Sequence, residues 1–322
     1  LADLKSGAVI ASRQADRRMP PASTAKTITA LYALAQLGAD HRFRTRLLAT
    51  GPVTGGRLRG DLILAGGGDP TLATDDLGDM AAALAGAGVK AVDGRFYVWA
   101  GALPYVAAID RDQPEWLGYN PAVSGLNLNF NRVNFTWKQA GDGYDTGFDA
   151  QGERFVPPVY MTRMKVVARD LPIYTYAQSG TTEDWTVSRA ALGQKGSRWL
   201  PVRRPDIYAG DVFQTLVRAQ GIDLPTPEVL DGLPGGGQVL VDHPSRMLTD
   251  VLRDMMKYST NMTAEAVGMA ASLVKGGSSH AASAAMMGDW LRQGIGQTKA
   301  RFVDHSGLGG QARVSAADMA AA

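Results

Sequence analysis

No cysteine occurs in the 322 residues, which excludes disulfides, thiolate metal ligands and a cysteine nucleophile together. That absence suits an oxidising compartment and the cytosol equally, so it does not fix location. Histidine is almost as scarce: His41, His243, His280 and His305 stand far apart, and no pair has metal-ligand spacing on a helix. No run of about 18 apolar residues is present, so nothing reads as an integral membrane segment. Charge of one sign is not in excess either. Thirty-three Lys and Arg against 31 Asp and Glu leave +2, which gives no electrostatic footprint of a nucleic-acid partner. A secretory leader is also missing, because Leu1 opens directly into a pattern of short strand, turn at Lys5-Ser6-Gly7 and second strand. A chain that starts inside a strand is expected to have lost residues upstream, as in a mature or trimmed form.

What is present is ordinary for a globular protein, with 45% hydrophobic and 20% charged residues. The length exceeds one domain of roughly 100–200 residues and predicts two or three units. Pro20-Pro21 blocks helix, and the residues from Ser23 to Leu37 then read as a buried helix ended by Gly38. Strand patterns follow at Phe43–Leu48 and Leu62–Leu64, then helix at Asp76–Gly86 and strand at Val98-Trp99. From about 100 to 240 the chain is rich in Gly, Pro, Asp and aromatics, with short strands such as Val133–Trp137 and Met164–Val167. One helix, Ala209–Gln220, interrupts it. Helix returns at Met247–Tyr258, Ala264–Val274 and Ala281–Gly294, and the last residues, Ala316–Ala322, read as a helix cut before any cap. A β-rich middle between helical ends predicts one domain split by an insertion.

Ser23-Thr24-Ala25-Lys26 places a serine and a lysine three residues apart at a helix start, on one face. A serine hydroxyl needs a nearby base, and burial can bring a lysine close enough to neutrality to be that base. By itself the pattern is weak; Ser272-Leu273-Val274-Lys275 repeats it by chance, as an ordinary helical serine with a surface lysine. Ser259-Thr260-Asn261 falls between two helices. There the serine could relay a proton to a leaving amine and the asparagine could hold Lys26 and a substrate amide; equally, either residue could cap the next helix. Gly66–Gly68 lacks the Gly-Lys-Ser/Thr ending of a phosphate loop and reads as a turn. Asp304-His305 offers a Ser-His-Asp alternative, which a lysine already at the serine makes unnecessary.

Ser-x-x-Lys followed by Ser-x-Asn is the active-site set of penicillin-binding proteins and serine β-lactamases. The flanks narrow this: residues 21–31, the Gly-Asp-Pro-Thr-Leu block at 68–72, Pro121–Leu126, Met255–Glu265 and Asp304–Leu308. In that order they resemble the D-alanyl-D-alanine carboxypeptidase/endopeptidase family, the three-domain low-molecular-mass penicillin-binding proteins. The resemblance implies an α/β (α+β) transpeptidase/β-lactamase-like domain of residues 1–50 and 240–322, an antiparallel sheet packed with helices, split by a large β-rich insertion. The insertion is expected as two nested subdomains, 51–74 with 157–239 and, inside it, 75–156. It further implies acyl transfer on Ser23 with Lys26 as base, Ser259 as relay and Asn261 positioning the substrate. Trp116 and Tyr119 are candidates for the stem-peptide side chain, or else aromatics of the insertion's core. Expected partners are peptidoglycan stem peptides and β-lactam antibiotics, no cofactor or metal is implied, and the setting is the periplasm or cell surface.

One departure stands out. The family's third element, Lys-Thr/Ser-Gly on a strand beside the site, does not occur in this sequence. Either a C-terminal part is missing, the reading favoured by the uncapped final helix, or the chain is an inactive relative. A serine β-lactamase and a non-catalytic peptidoglycan- or β-lactam-binding relative are the rival functions.

Overall fold

The computed structural model describes residues 1–3, 5–296 and 298–322. Its helices are α1 (Ala25–Leu37), α2 (Thr74–Gly86), α3 (Pro205–Ala219), α4 (Leu248–Tyr258), α5 (Asn261–Leu273), α6 (His280–Ile295) and α7 (Ala316–Ala321). Proline sets where two of them begin. Pro21 has no amide donor, Ala22 follows at a φ of 48°, and a single 3₁₀ turn over Ala22–Thr24 leads into α1. Pro205 occupies the first turn of α3, where a missing N–H costs nothing, so that helix starts four residues before the expected Ala209.

The chain divides into two units, Leu1–His41 with Arg246–Ala322 and, between them, Arg42–Ser245. In the first unit α1 packs on α5, and α5 on α6. Buried Ile28, Tyr32 and Ala33 of α1 share the core with Met262, Val267 and Met269 of α5 and with Met287 and Leu291 of α6. Each of the Ile, Val, Leu and Met side chains removed from water contributes roughly 1.5–3 kcal/mol before entropy is counted. Gly268 makes the packing of α5 possible, since a Cβ there would lie 2.2 Å from the His305 ring. Among its described residues this unit contains helices and isolated bridges but no strand. An antiparallel sheet is expected in the domain of residues 1–50 and 240–322; the antiparallel pairing of Arg44–Ala49 with Gln238–Pro244 lies in the second unit. The opening residues form one bridge, Ala2 to Val9, around a turn held by the Asp3 side chain; Leu4, part of the expected hairpin, lies outside the described residues.

The second unit is built on a five-stranded sheet ordered Pro227–Val229, Phe96–Trp99, Leu62–Ala65, Arg44–Ala49, Gln238–Pro244. Three smaller three-stranded sheets and helices α2 and α3 accompany it. Its core includes Leu47, Leu64, Phe96, Val98, Phe135, Trp185 and Phe213. The Gly66–Gly68 run packs backbone on backbone: the Gly66 N–H donates to Trp99 and the Gly68 N–H to Gly125.

Candidate active site

Ser23 and Lys26 sit where α1 begins, and burial separates their roles. Ser23 is exposed, whereas Lys26 is 1% exposed, a position a lysine holds only with partners for its charge. Its Nζ lies 3.2 Å from Ser23 Oγ, 2.8 Å from Asn261 Oδ1 and 2.9 Å from the Ser306 carbonyl oxygen. These three acceptors use every direction open to a tetrahedral nitrogen. Once the amine loses a proton, Asn261 and Ser306 still take its two hydrogens and the lone pair is left facing Ser23. Burial pushes the lysine below its ordinary pKa, with the charges of Glu265 and Asp304 working against that shift.

Ser259 approaches from the other side, its hydroxyl donating to Ser23 Oγ at 2.9 Å. It ends α4 in the left-handed region (φ 55°), an uncommon conformation for serine, and Thr260 is the residue before α5. Neither Ser259 nor Asn261 therefore caps α5 as the alternative reading had it; Asn261 is the first residue of that helix.

The structure thus brings together four of the six residues singled out in the sequence. Trp116 and Tyr119 belong to the unit Arg42–Ser245. There Trp116 packs against Tyr174 at 5.7 Å with the Arg198 guanidinium 4.3 Å above its ring, and the Tyr119 hydroxyl donates to Gln113 at 3.3 Å.

The Ser-His-Asp alternative is not realised. His305 is fully buried, with Nε2 2.7 Å from Ser283 Oγ, and burial pushes its pKa down to about 4. The Asp304 carboxylate accepts the N–H groups of Gly307 and Gly309 instead of facing the imidazole. Ser272 of the chance motif is buried against Tyr32 and Ser283 while Lys275 is exposed, as expected of a structural serine and a surface lysine.

Sequence reasoning missed the Ser306 carbonyl and the residue that fixes it. Glu265, wholly buried on α5, accepts the Ser306 N–H at 2.8 Å and the His305 N–H at 3.0 Å, and meets His280 Nε2 at 2.8 Å. Its spacing offered one signal, because it lies four residues after Asn261 and so shares its helix face. Gly307 (φ 75°) lets this loop pack against the turn before Ser23, since a Cβ there would stand 1.8 Å from the Ala22 carbonyl oxygen. Among the described residues no group of three His, Cys, Asp or Glu side chains could hold a metal ion, and no helix is long and apolar enough to cross a membrane.

An exposed serine whose hydroxyl accepts from a buried lysine and from a second serine has the arrangement of a candidate nucleophile beside a candidate base. The chain matches the D-Ala-D-Ala carboxypeptidase 3 (S13) family over residues 1–322 and belongs to that family. It is 30% identical over 286 residues to a D-alanyl-D-alanine carboxypeptidase of an Actinomadura species, covering 82% of this chain and 51% of that protein. It is also 26% identical over 284 residues to the D-alanyl-D-alanine carboxypeptidase DacB of Haemophilus influenzae, covering 82% and 56%. The chain therefore spans about half the length of these relatives. In fold it is similar to the crystal structure of penicillin binding protein 4 (dacB) from Haemophilus influenzae. The TM-score is 0.81 at 24% identity, covering 99% of this chain and 72% of that one. For that protein's complex with a novel β-lactam the TM-score is 0.73 at 23% identity, covering 98% and 70%. The mixed α/β fold expected from the sequence is thus the fold of a penicillin-binding protein.

Proposed function

We propose that the chain carries the nucleophilic part of a serine D-Ala-D-Ala carboxypeptidase that acts on peptidoglycan stem peptides and is acylated by β-lactams. The observation that carries the proposal is the position of Lys26, buried and aimed at Ser23 by two further acceptors. Lys26 takes the Ser23 proton as Oγ forms a bond to the carbonyl carbon of the penultimate D-alanine. The tetrahedral adduct collapses by breaking the C–N bond, and the departing amine of the terminal D-alanine receives its proton from Lys26 through the Ser259 hydroxyl. Water then attacks the ester and restores Ser23. A β-lactam enters by the same first step, its ring C–N bond breaking while the amine stays tethered. Substrate in the cell wall places the working enzyme in the periplasm or at the cell surface. The same site serves endopeptidase cleavage when the leaving amine belongs to a cross-link.

Intact-protein mass spectrometry of the full gene product after exposure to benzylpenicillin tests this. The expected result is one adduct of the antibiotic's mass, absent in Ser23→Ala. An adduct that persists in Ser23→Ala overturns the assignment, and no adduct in either protein favours a binding relative.

A further inference from the structure

Two buried carboxylates hold the short loop that passes behind Lys26. Glu265 on α5 accepts the Ser306 N–H through Oε1 and the His305 N–H through Oε2. Asp304 accepts the Gly307 N–H at 2.7 Å through Oδ1 and the Gly309 N–H at 2.5 Å through Oδ2. The peptide group joining Ser306 to Gly307 is therefore gripped at both ends, its N–H by Asp304 and its C=O by Lys26. The preceding peptide group is held in the same way, its N–H by Glu265 and its carbonyl by the Thr29 hydroxyl of α1 at 2.6 Å. Burying two like charges is costly unless each is well bonded.

The titratable groups facing this cluster come from every surrounding element: Lys26 from α1, His280 from α6, and Asp304 and His305 from the segment after α6. Burial alone would raise the Glu265 carboxyl, but its hydrogen bond to His280 and the charge of His280 bring it below its ordinary value. Burial and then the charge of Glu265 push Asp304 above its own. Both carboxylates raise the proton affinity of Lys26 against the effect of burial.

We propose that Glu265 and Asp304 are positioning residues for Lys26: by holding the peptide groups of Ser306 and Gly307 they fix the Ser306 carbonyl that orients the amine. The proposal rests on the Ser23–Lys26 reading above. Without a fixed Ser306 carbonyl the neutral amine can rotate, and its lone pair no longer has to face Ser23. With either charge removed, Lys26 gives up its proton at lower pH.

The test is the rate of benzylpenicillin acylation as a function of pH in the full gene product, for the native protein, Glu265→Gln, Glu265→Asp and Asp304→Asn. In Glu265→Gln and Asp304→Asn the acid midpoint is expected to fall by on the order of one pH unit. The plateau at high pH should fall ~10-fold or more as the amine loses its orientation. Glu265→Asp keeps the charge but shortens the reach, so the midpoint should return while the plateau stays low. A purely structural role would lower the plateau and leave the midpoint in place. Folded variants with native midpoint and plateau overturn the proposal.

A measurement on the native protein covers variants that fail to fold. Labelling serine with ¹³C at the carbonyl and glycine with ¹⁵N isolates the Ser-Gly peptide groups, which in these 322 residues are Ser6-Gly7, Ser124-Gly125, Ser179-Gly180 and Ser306-Gly307. One of these amides should step at the acylation midpoint, and a titration in which none moves overturns the proposal. The Ser23→Ala control keeps the two readings apart. If the native protein forms an adduct and the control does not, the enzyme reading stands, and the pH comparison and the amide titration judge Glu265 and Asp304.

Discussion

An ammonium needs only acceptors, but a catalytic amine needs its lone pair pointed, and the surroundings of Lys26 supply both conditions. Lys26→Arg keeps the positive charge and some of the hydrogen bonds but cannot be deprotonated near neutral pH. Acylation by benzylpenicillin should fall by about 10²–10⁴-fold with little change in thermal stability, read from the rate of adduct formation. In the native protein the rate should rise with pH through the depressed pKa of Lys26, because only the neutral form accepts the serine proton. His305 makes a separate prediction about stability. Its folded pKa is lowered from 6.5 to about 4, so the unfolded chain binds the extra proton between those values. The neutral imidazole therefore contributes stability that is fully present above pH 6.5 and lost as pH falls towards 4, about 3 kcal/mol in all. Asp304, whose folded pKa is raised, works in the opposite direction over part of that range. His280, with its raised pKa, contributes stability that disappears as pH rises through that value. The difference between native protein and His305→Gln in urea unfolding at pH 7 and pH 4.5 isolates the term. A difference that does not narrow as pH falls would refute it.

Two helix ends meet at Ser259, and there helix termination and the proposed proton relay make different demands on one residue. Glycine is the usual residue for the left-handed position that ends α4, and serine holds it at a φ of 55°. Ser259→Gly should raise stability by about 1 kcal/mol while removing the hydroxyl that donates to Ser23, slowing turnover of a D-Ala-D-Ala peptide. Thermal unfolding and peptide hydrolysis on the same preparation check both halves; a variant that gained stability without losing turnover would remove Ser259 from the chemistry. Much of this element-level arrangement was legible beforehand. Pro20-Pro21 and Gly38 bracket α1, and the spacing of Ser23 from Lys26 and of Ser259 from Asn261 follows from residues close together in sequence. The Ser306 carbonyl was not legible, because a backbone acceptor carries no residue signature and lies 280 positions from Lys26. Glu265 gave only the signal of a helical glutamate on the face of Asn261, since its burial depends on loop 304–309 folding over it. For the same reason the pairing of Phe96–Trp99 with Leu62–Ala65, and of Arg132–Ala140 with Lys195–Pro201, could not be read from local alternation.

Over the whole chain, residues Arg42–Ser245 are inserted between two parts of the unit that carries Ser23. An insertion is tolerated when its ends lie together, because closing the host then costs little chain entropy. Here the ends are tied: the Ser245 N–H donates to the Phe43 carbonyl at 2.8 Å, the Phe43 N–H to Ser245 Oγ at 3.0 Å, and Arg42 to the Ser245 carbonyl at 2.6 Å. The host closes in its own right, the Leu248 N–H donating to the His41 carbonyl at 2.8 Å. The inserted unit also has a five-stranded sheet and a core of buried Leu, Val and Phe of its own. Residues 42–245 expressed alone should therefore give a monomer with a single cooperative thermal transition and native-like strand signal in circular dichroism. They should form no adduct with benzylpenicillin, because Ser23 is absent. A chain that aggregates or melts without cooperativity would mean that the insertion depends on its host for stability, and the two units would then have to fold as one.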